Sequence, residues 1–180
     1  MMTTRLEIGL LLAFAGALLW AVFGPAVPQH AHYHDFADAR VWLGVPCALD
    51  VLSNLPFAVG GLWGLATLQR LQPGAKAGGQ QHLAALFFIG LVLTALCSGF
   101  YHLHPDNAGL VIDRLGMVVA FAGLLAVAVA DRVSARAGVL TAATVLLLGP
   151  LSIWAWAASG NLLSWVVLQA GGVLLMLTLA

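Results

Sequence analysis

Charge is what this sequence has least of. Only 8% of its 180 residues are Asp, Glu, Lys or Arg, where an ordinary soluble domain carries about a quarter. That composition excludes a soluble enzyme and a disordered tail. The 7 basic and 7 acidic residues cancel, so no long-range field draws in a polyanion, and nucleic acid is excluded as a partner. Cysteine is scarce as well. Cys47 and Cys97 both fall in apolar runs, which leaves no disulfide framework to read. Period-two alternation is missing, so a transmembrane barrel is not supported. There is no internal repeat, low-complexity tract or soluble domain.

Hydrophobicity fills the space that charge leaves. Hydrophobic residues make up 62% of the chain and the mean hydropathy is +0.99. Six apolar stretches run over about 8–24, 41–68, 83–103, 109–130, 138–156 and 162–180, each long enough to cross about 30 Å of hydrocarbon as a helix. Turn chemistry separates them: Gly24-Pro25, Pro73-Gly74 with Gly78-Gly79, His104-Pro105-Asp106-Asn107 and Ser159-Gly160-Asn161. The expected fold is all-α, a multi-pass transmembrane bundle of about six helices forming one membrane domain over 1–180. Arg5 ahead of the first stretch fits a signal peptide. Its apolar core is long for one, and no A-x-A site follows closely, so the stretch reads as an uncleaved helix. The last stretch ends without a polar flank, and the expectation is a chain cut off in mid-helix.

Arg5, Arg70, Lys76, Arg132 and Arg136 fall on one side of a six-helix zigzag, and Arg40 and Arg114 on the other. The positive-inside rule puts the first set, and the N-terminus, in the cytoplasm. Loops 25–40 and 104–108 then face outward. Trp20, Trp42 and Trp154 mark helix ends in the aromatic belt, and Gln169 reads as internally packed.

Ionisable residues inside a membrane helix cost about 2.5–3.5 kcal/mol on insertion scales, so each one poses a functional question. Asp50, Ser53 and Asn54 stand at i, i+3 and i+4 of the second stretch and share a face; the bland reading is interhelical polar glue. Pro56 is expected to kink that helix. Ser98 and His102 are i and i+4 at the outer end of the third helix, beside Tyr101. Asp113 opens the fourth helix at the same depth, where on its own it would complement the helix dipole. Arg114 beside it is expected to snorkel outward. The outer loop holds His30, His32, His34, Asp35 and Asp38, with His104 on the same side. That set reads either as a metal-binding cluster or as a solvated, pH-sensitive loop. His82 lies at the opposite end of the third helix.

Leu52-Ser53-Asn54-Leu55-Pro56-Phe57, then Ser98-x3-His102, then Asp113 with Leu115 and Met117, resembles the alkaline ceramidase family, part of a group of seven-helix membrane hydrolases that includes adiponectin-receptor-like proteins. The resemblance covers about 30–135, and the first helix looks like an addition ahead of it. It implies a zinc-dependent membrane amidohydrolase that cleaves ceramide-type lipids to a sphingoid base and a fatty acid. Within it His102 would be a zinc ligand, Ser98 would hydrogen-bond near the metal and the developing oxyanion, and Asp113 would hold or deprotonate the water. Asp50, Ser53, Asn54 and Tyr101 would support them. The family's His-x3-His motif, which supplies two further ligands, does not occur after residue 104; His104 or the 30–34 histidines stand as substitutes. The family's calcium-binding acidic segment corresponds to the region of Asp35 and Asp38. Cys47 replaces its later Glu and Asp50 its Asn, so calcium is not carried over whole. Two other readings stay open: a non-catalytic, receptor-like or scaffold protein of the same fold, and a metal-handling protein using the histidine loop.

Overall fold

The computed structural model describes residues 4–71 and 78–180. The expected turn at Pro73-Gly74, and Lys76, lie outside the described residues. The rest is all-helical. The helices are α1 (Arg5–Phe23), α2 (Ala48–Leu52), α3 (Leu55–Arg70), α4 (Gly78–Leu103), α5 (Asn107–Arg132), α6 (Ala135–Ser159) and α7 (Leu163–Leu179). α2 and α3 together make one span, Ala48–Arg70, and among the described residues five spans are long and apolar enough to cross a membrane; α7 is apolar but shorter. The chain is thus a multi-pass helical membrane bundle.

Three details depart from the sequence expectation. The second stretch was expected to be helical from 41. It becomes helical only at Ala48, because Leu43, Gly44 and Cys47 all take positive φ and Trp42 pairs back on Val45 in an isolated bridge. Gly78 and Gly79 open α4 instead of forming a turn. Asp113 does not open its helix. α5 starts at Asn107, and its N-cap is Asp106, whose carboxylate accepts from Gly109 N at 2.6 Å. Asp113 therefore lies almost two turns inside the span, beyond the reach of the helix-end charge.

The break between α2 and α3 is where proline demands one. Pro56 stands in the first turn of α3, where a missing N–H costs nothing. Ser53 Oγ and Asn54 Nδ2 both donate to Asp50 O, at 2.6 and 3.0 Å, and satisfy a carbonyl at the break. The two side chains expected as interhelical glue therefore bond within their own segment.

α5 is the central helix. Half of its membrane window is buried, against 6% of the window of α1. It packs most extensively on α4 and next on α6. The α4–α5 contact is close because glycine leaves room for it. A Cβ at Gly90 would collide with the Ala120 backbone and one at Gly123 with Phe87, while one at Gly116 would stand 2.9 Å from Leu93 O. In hydrocarbon, where lipid tails are as apolar as leucine, such small-residue contacts drive helix association. Val118, Ala122 and Leu125 of α5 then meet Val145, Ile153 and Trp156 of α6 and Trp165 of α7 in the main core.

Polar bonds fix the two poles. At one, Ser134, the N-cap of α6, donates to Glu7 Oε1 of α1 at 2.7 Å. At the other, Val27 N donates to Asn161 Oδ1 at 2.9 Å and Leu162 N to Val27 O at 2.8 Å. Gly160, at φ +73, makes the turn between α6 and α7.

Gly123→Ala is expected to lower the thermal unfolding temperature in detergent, because its methyl has no space against the Phe87 backbone. Gly60→Ala, where a Cβ meets nothing within 4 Å, is expected to leave it unchanged or raise it, since alanine is the better helix former by about 1 kcal/mol. Equal effects from the two changes would refute the glycine-dependent α4–α5 contact.

Candidate functional site at the outer ends of α4 and α5

Helical spacing puts Ser98 and His102 on one face of α4, and the close α4–α5 packing turns that face onto Asp113. Ser98, as a hydrogen-bonding neighbour, and the His102 and Arg114 charges lie close to the Asp113 carboxyl, as do Cys97 and Tyr101. Ser98 and Asp113 are both buried. His102 Nδ1 and Asp113 Oδ1 are fully enclosed, and neither has a hydrogen-bond partner among the described residues. A buried polar atom left unpaired costs about 1–3 kcal/mol, and more when charged. Two such atoms in one cluster make it the candidate site.

The loop between α1 and α2 folds over this cluster. Phe36 packs against the His102 ring at 4.7 Å between centroids and edge-on against Tyr101 at 5.4 Å. His34 turns inward: its Nδ1 lies 2.8 Å from Tyr101 Oη and its Nε2 2.9 Å from Asn107 Oδ1. Gln29 Nε2 donates to the same Asn107 oxygen at 3.0 Å. With Nε2–H donating to Asn107, Nδ1 accepts from the tyrosine hydroxyl, so one neutral tautomer satisfies both bonds. Tyr101, expected in a supporting role, is buried and joins the loop to the cluster.

The histidines of the loop do not converge. His32 bonds exposed Asp35 at 2.8 Å, and its backbone N–H donates to His30 Nδ1 at 3.2 Å. His34 is engaged with Tyr101 and Asn107, while His104 stacks on Phe100 at 5.9 Å. Asp38 is occupied by the protein itself: one oxygen accepts from Arg40 Nε, and the other from Leu49 N at 2.8 Å. The Arg40 guanidinium and the Leu49 amide hold its carboxyl below the usual carboxylate range. Asp35 and Asp38 are thus spent on a histidine and on the entry to α2. Asp50 keeps one buried oxygen, Oδ2, without a partner.

A catalytic zinc needs three protein ligands. No group of three His, Cys, Asp or Glu side chains assembles among the described residues. His102 Nδ1 and Asp113 Oδ1 are atoms of a kind that zinc accepts, but they number two, one short of a catalytic zinc's protein ligands.

Arg114 corrects the sequence reading. It does not snorkel; it is only 2% exposed. Its guanidinium carbon lies 4.1 Å from the Trp156 ring centroid, 5.3 Å from that of Trp165 and 5.8 Å from that of Tyr33. Its Nη1 is buried and unpartnered. An aromatic cage thus takes up the charge at the same level as Asp113. The sequence held no local sign of this, because two of the three rings come from α6 and α7, far along the chain.

Comparison of the chain with known protein families, curated proteins and solved structures finds no match.

Two outcomes are expected. Arg114→Lys loses planar stacking on three rings, and about 2 kcal/mol of desolvated cation–π attraction with it; thermal unfolding in detergent should fall accordingly, and an unchanged unfolding temperature would refute the cage. For Asp38 the folded carboxyl titrates lower than the unfolded one. Its contribution is therefore complete above the unfolded value and disappears as pH falls through the folded one. Proteolysis of the 25–47 loop should accelerate only in acid below the usual carboxylate range, and Asp38→Asn should abolish that pH dependence.

Proposed function

We propose that the chain is a membrane-embedded amidohydrolase cleaving a ceramide-type lipid to a sphingoid base and a fatty acid, with Ser98, His102 and Asp113 at the reacting centre. One observation carries this reading: three side chains of hydrolytic type come together from two helices, two of them with buried, unpartnered atoms. The resemblance over Ser98-x3-His102 and Asp113 supports it independently. A site near the membrane surface also suits a substrate whose amide lies at the level of the head groups.

In this reading the Asp113 carboxylate accepts a proton from the attacking water as general base. The Ser98 hydroxyl donates to the oxygen on which charge develops as the carbonyl becomes tetrahedral. The Phe36 and Tyr101 rings shield the centre from bulk water, which strengthens both interactions. Zinc is the proposed cofactor and His102 its proposed ligand; when bound, it supplies a Lewis acid and a water of pKa near 7.

We further propose that the cluster faces away from the cytoplasm. Arg5, Arg70, Arg132 and Arg136 lie at the pole of the Glu7–Ser134 bond. The opposite pole carries Arg40, while Arg114 is caged within the bundle. This is the bias that the positive-inside rule reads.

Turnover of a short-chain fluorescent ceramide by purified protein tests the function. Asp113→Asn and His102→Ala are each expected to lower kcat/KM at least a hundredfold, and Ser98→Ala about tenfold to a hundredfold, with helical content retained. Binding of the lipid without turnover, weakened by Asp113→Asn or His102→Ala, would replace this reading with a receptor-like one. For orientation, both native cysteines are replaced by serine and single cysteines placed at Arg40 or Arg132. A membrane-impermeant maleimide added to intact cells should label the first and not the second; the reverse pattern would invert the topology.

A further inference from the structure

The polar ties of α1 to the bundle lie near its two ends, and it also packs on α7. Glu7 and Ser134 hold one end, and Val27 with Asn161 and Leu162 the other. Between the ties lies a half-open cavity of about 690 Å³ walled by α1, α6 and α7. Its walls are almost wholly apolar and include Leu10, Phe14 and Ala17 on one side and Leu148, Leu168 and Gly171 on the other. Ser159, Asn161 and Ser164 form the rim at one end; Thr144, Ser152 and Thr178 also line the slot, Ser152 and Thr178 giving their hydroxyl protons to carbonyls of their own helices. Asn161 Oδ1 accepts from Val27 N and Leu163 N, and its Nδ2 donates to no group among the described residues.

We propose that this slot binds one acyl chain of a lipid from the leaflet at the Asn161 pole, with the ester or amide carbonyl of that lipid at the Asn161 rim. An apolar cavity of this size does not hold water, which needs two to four polar partners per molecule. Left empty, it would forfeit the dispersion contacts of its whole lining. The length also fits. Leu10 to Val22 of α1, both lining residues, cover about 18 Å at 1.5 Å per residue, and one leaflet contributes about 15 Å of the hydrocarbon core. The rim offers the Asn161 amide N–H₂ and no charge, which suits a carbonyl; the Ser159 and Ser164 hydroxyls already donate to Ala155 O and Ser152 O. None of the lining residues belongs to the Ser98–His102–Asp113 cluster, so the slot stands whether or not that cluster is hydrolytic.

Gly171 makes the proposal testable. It lines the slot, and a Cβ there meets nothing within 4 Å, so a side chain can start from this position into the cavity. Gly9 on α1 has the same freedom and does not line the slot. The purified full chain is titrated in detergent with 16-carbon lysophosphatidylcholine, and bound lipid is counted by native mass spectrometry. The expected result is one retained lipid on the unmodified chain and on Gly9→Phe, with at least tenfold weaker retention on Gly171→Phe. Ala17→Leu, from the opposite wall, should weaken retention in the same direction and serves should Gly171→Phe fail to fold. No stoichiometric lipid on the unmodified chain, or equal retention by Gly9→Phe and both slot variants, overturns the proposal.

Discussion

Everything in this structure depends on one constraint: inside hydrocarbon, each polar group must find its partner within the protein. The backbone meets it by being helical. The difficult places are where helices break or begin, and the chain settles them locally. Ser53 and Asn54 satisfy the Asp50 carbonyl at the proline break, Asp106 caps α5, and Ser134 caps α6 while bonding Glu7. With those demands met, small residues bring α4 and α5 close enough for one face of α4 to meet Asp113.

Against that background the unsatisfied groups carry information. Asp113 Oδ1, His102 Nδ1 and Arg114 Nη1 are buried without a hydrogen-bond partner and lie close together, whereas Gln29 Oε1, Asp50 Oδ2 and Thr141 Oγ1, also unpartnered, stand on other elements. Arg114 is compensated by three aromatic rings, a form of stabilisation that leaves its N–H groups unspent. Asp113 has Ser98 and the Arg114 charge beside it and His102 has the Phe36 ring, yet Oδ1 and Nδ1 keep no hydrogen bond. The 25–47 loop, pinned through His34, Phe36 and Asp38, closes over them and keeps bulk water from supplying the missing bonds. Burial makes it costly to leave both atoms without a hydrogen bond.

Much of this was legible in the chain. Twenty-residue apolar runs announced the spans, and the i, i+4 spacing of Ser98 and His102, with Asp113 at a similar depth, predicted the cluster. The Pro56 break was readable for the same kind of reason, since proline acts on its own segment. Where partners are distant in sequence, reading failed. Nothing near Arg114 tells of Trp156 and Trp165, so an interfacial snorkel was the natural expectation. His34 reads as one of three alternating histidines until folding turns it toward Tyr101 and Asn107. The helix expected from 41 missed local signals that were present: Gly44 and Pro46 both oppose helix, and the apolar run masked them.

The central claim is that His102 Nδ1 and Asp113 Oδ1 are left bare to hold a ligand between α4 and α5. Its most direct test is a zinc titration of the purified, ¹⁵N-histidine-labelled chain, followed through the ring nitrogen signals. The account predicts that His102 responds at the lowest zinc concentrations and that Asp113→Asn weakens this response at least tenfold. A response confined to His30 and His32, or a His102 signal indifferent to both zinc and Asp113→Asn, would contradict it.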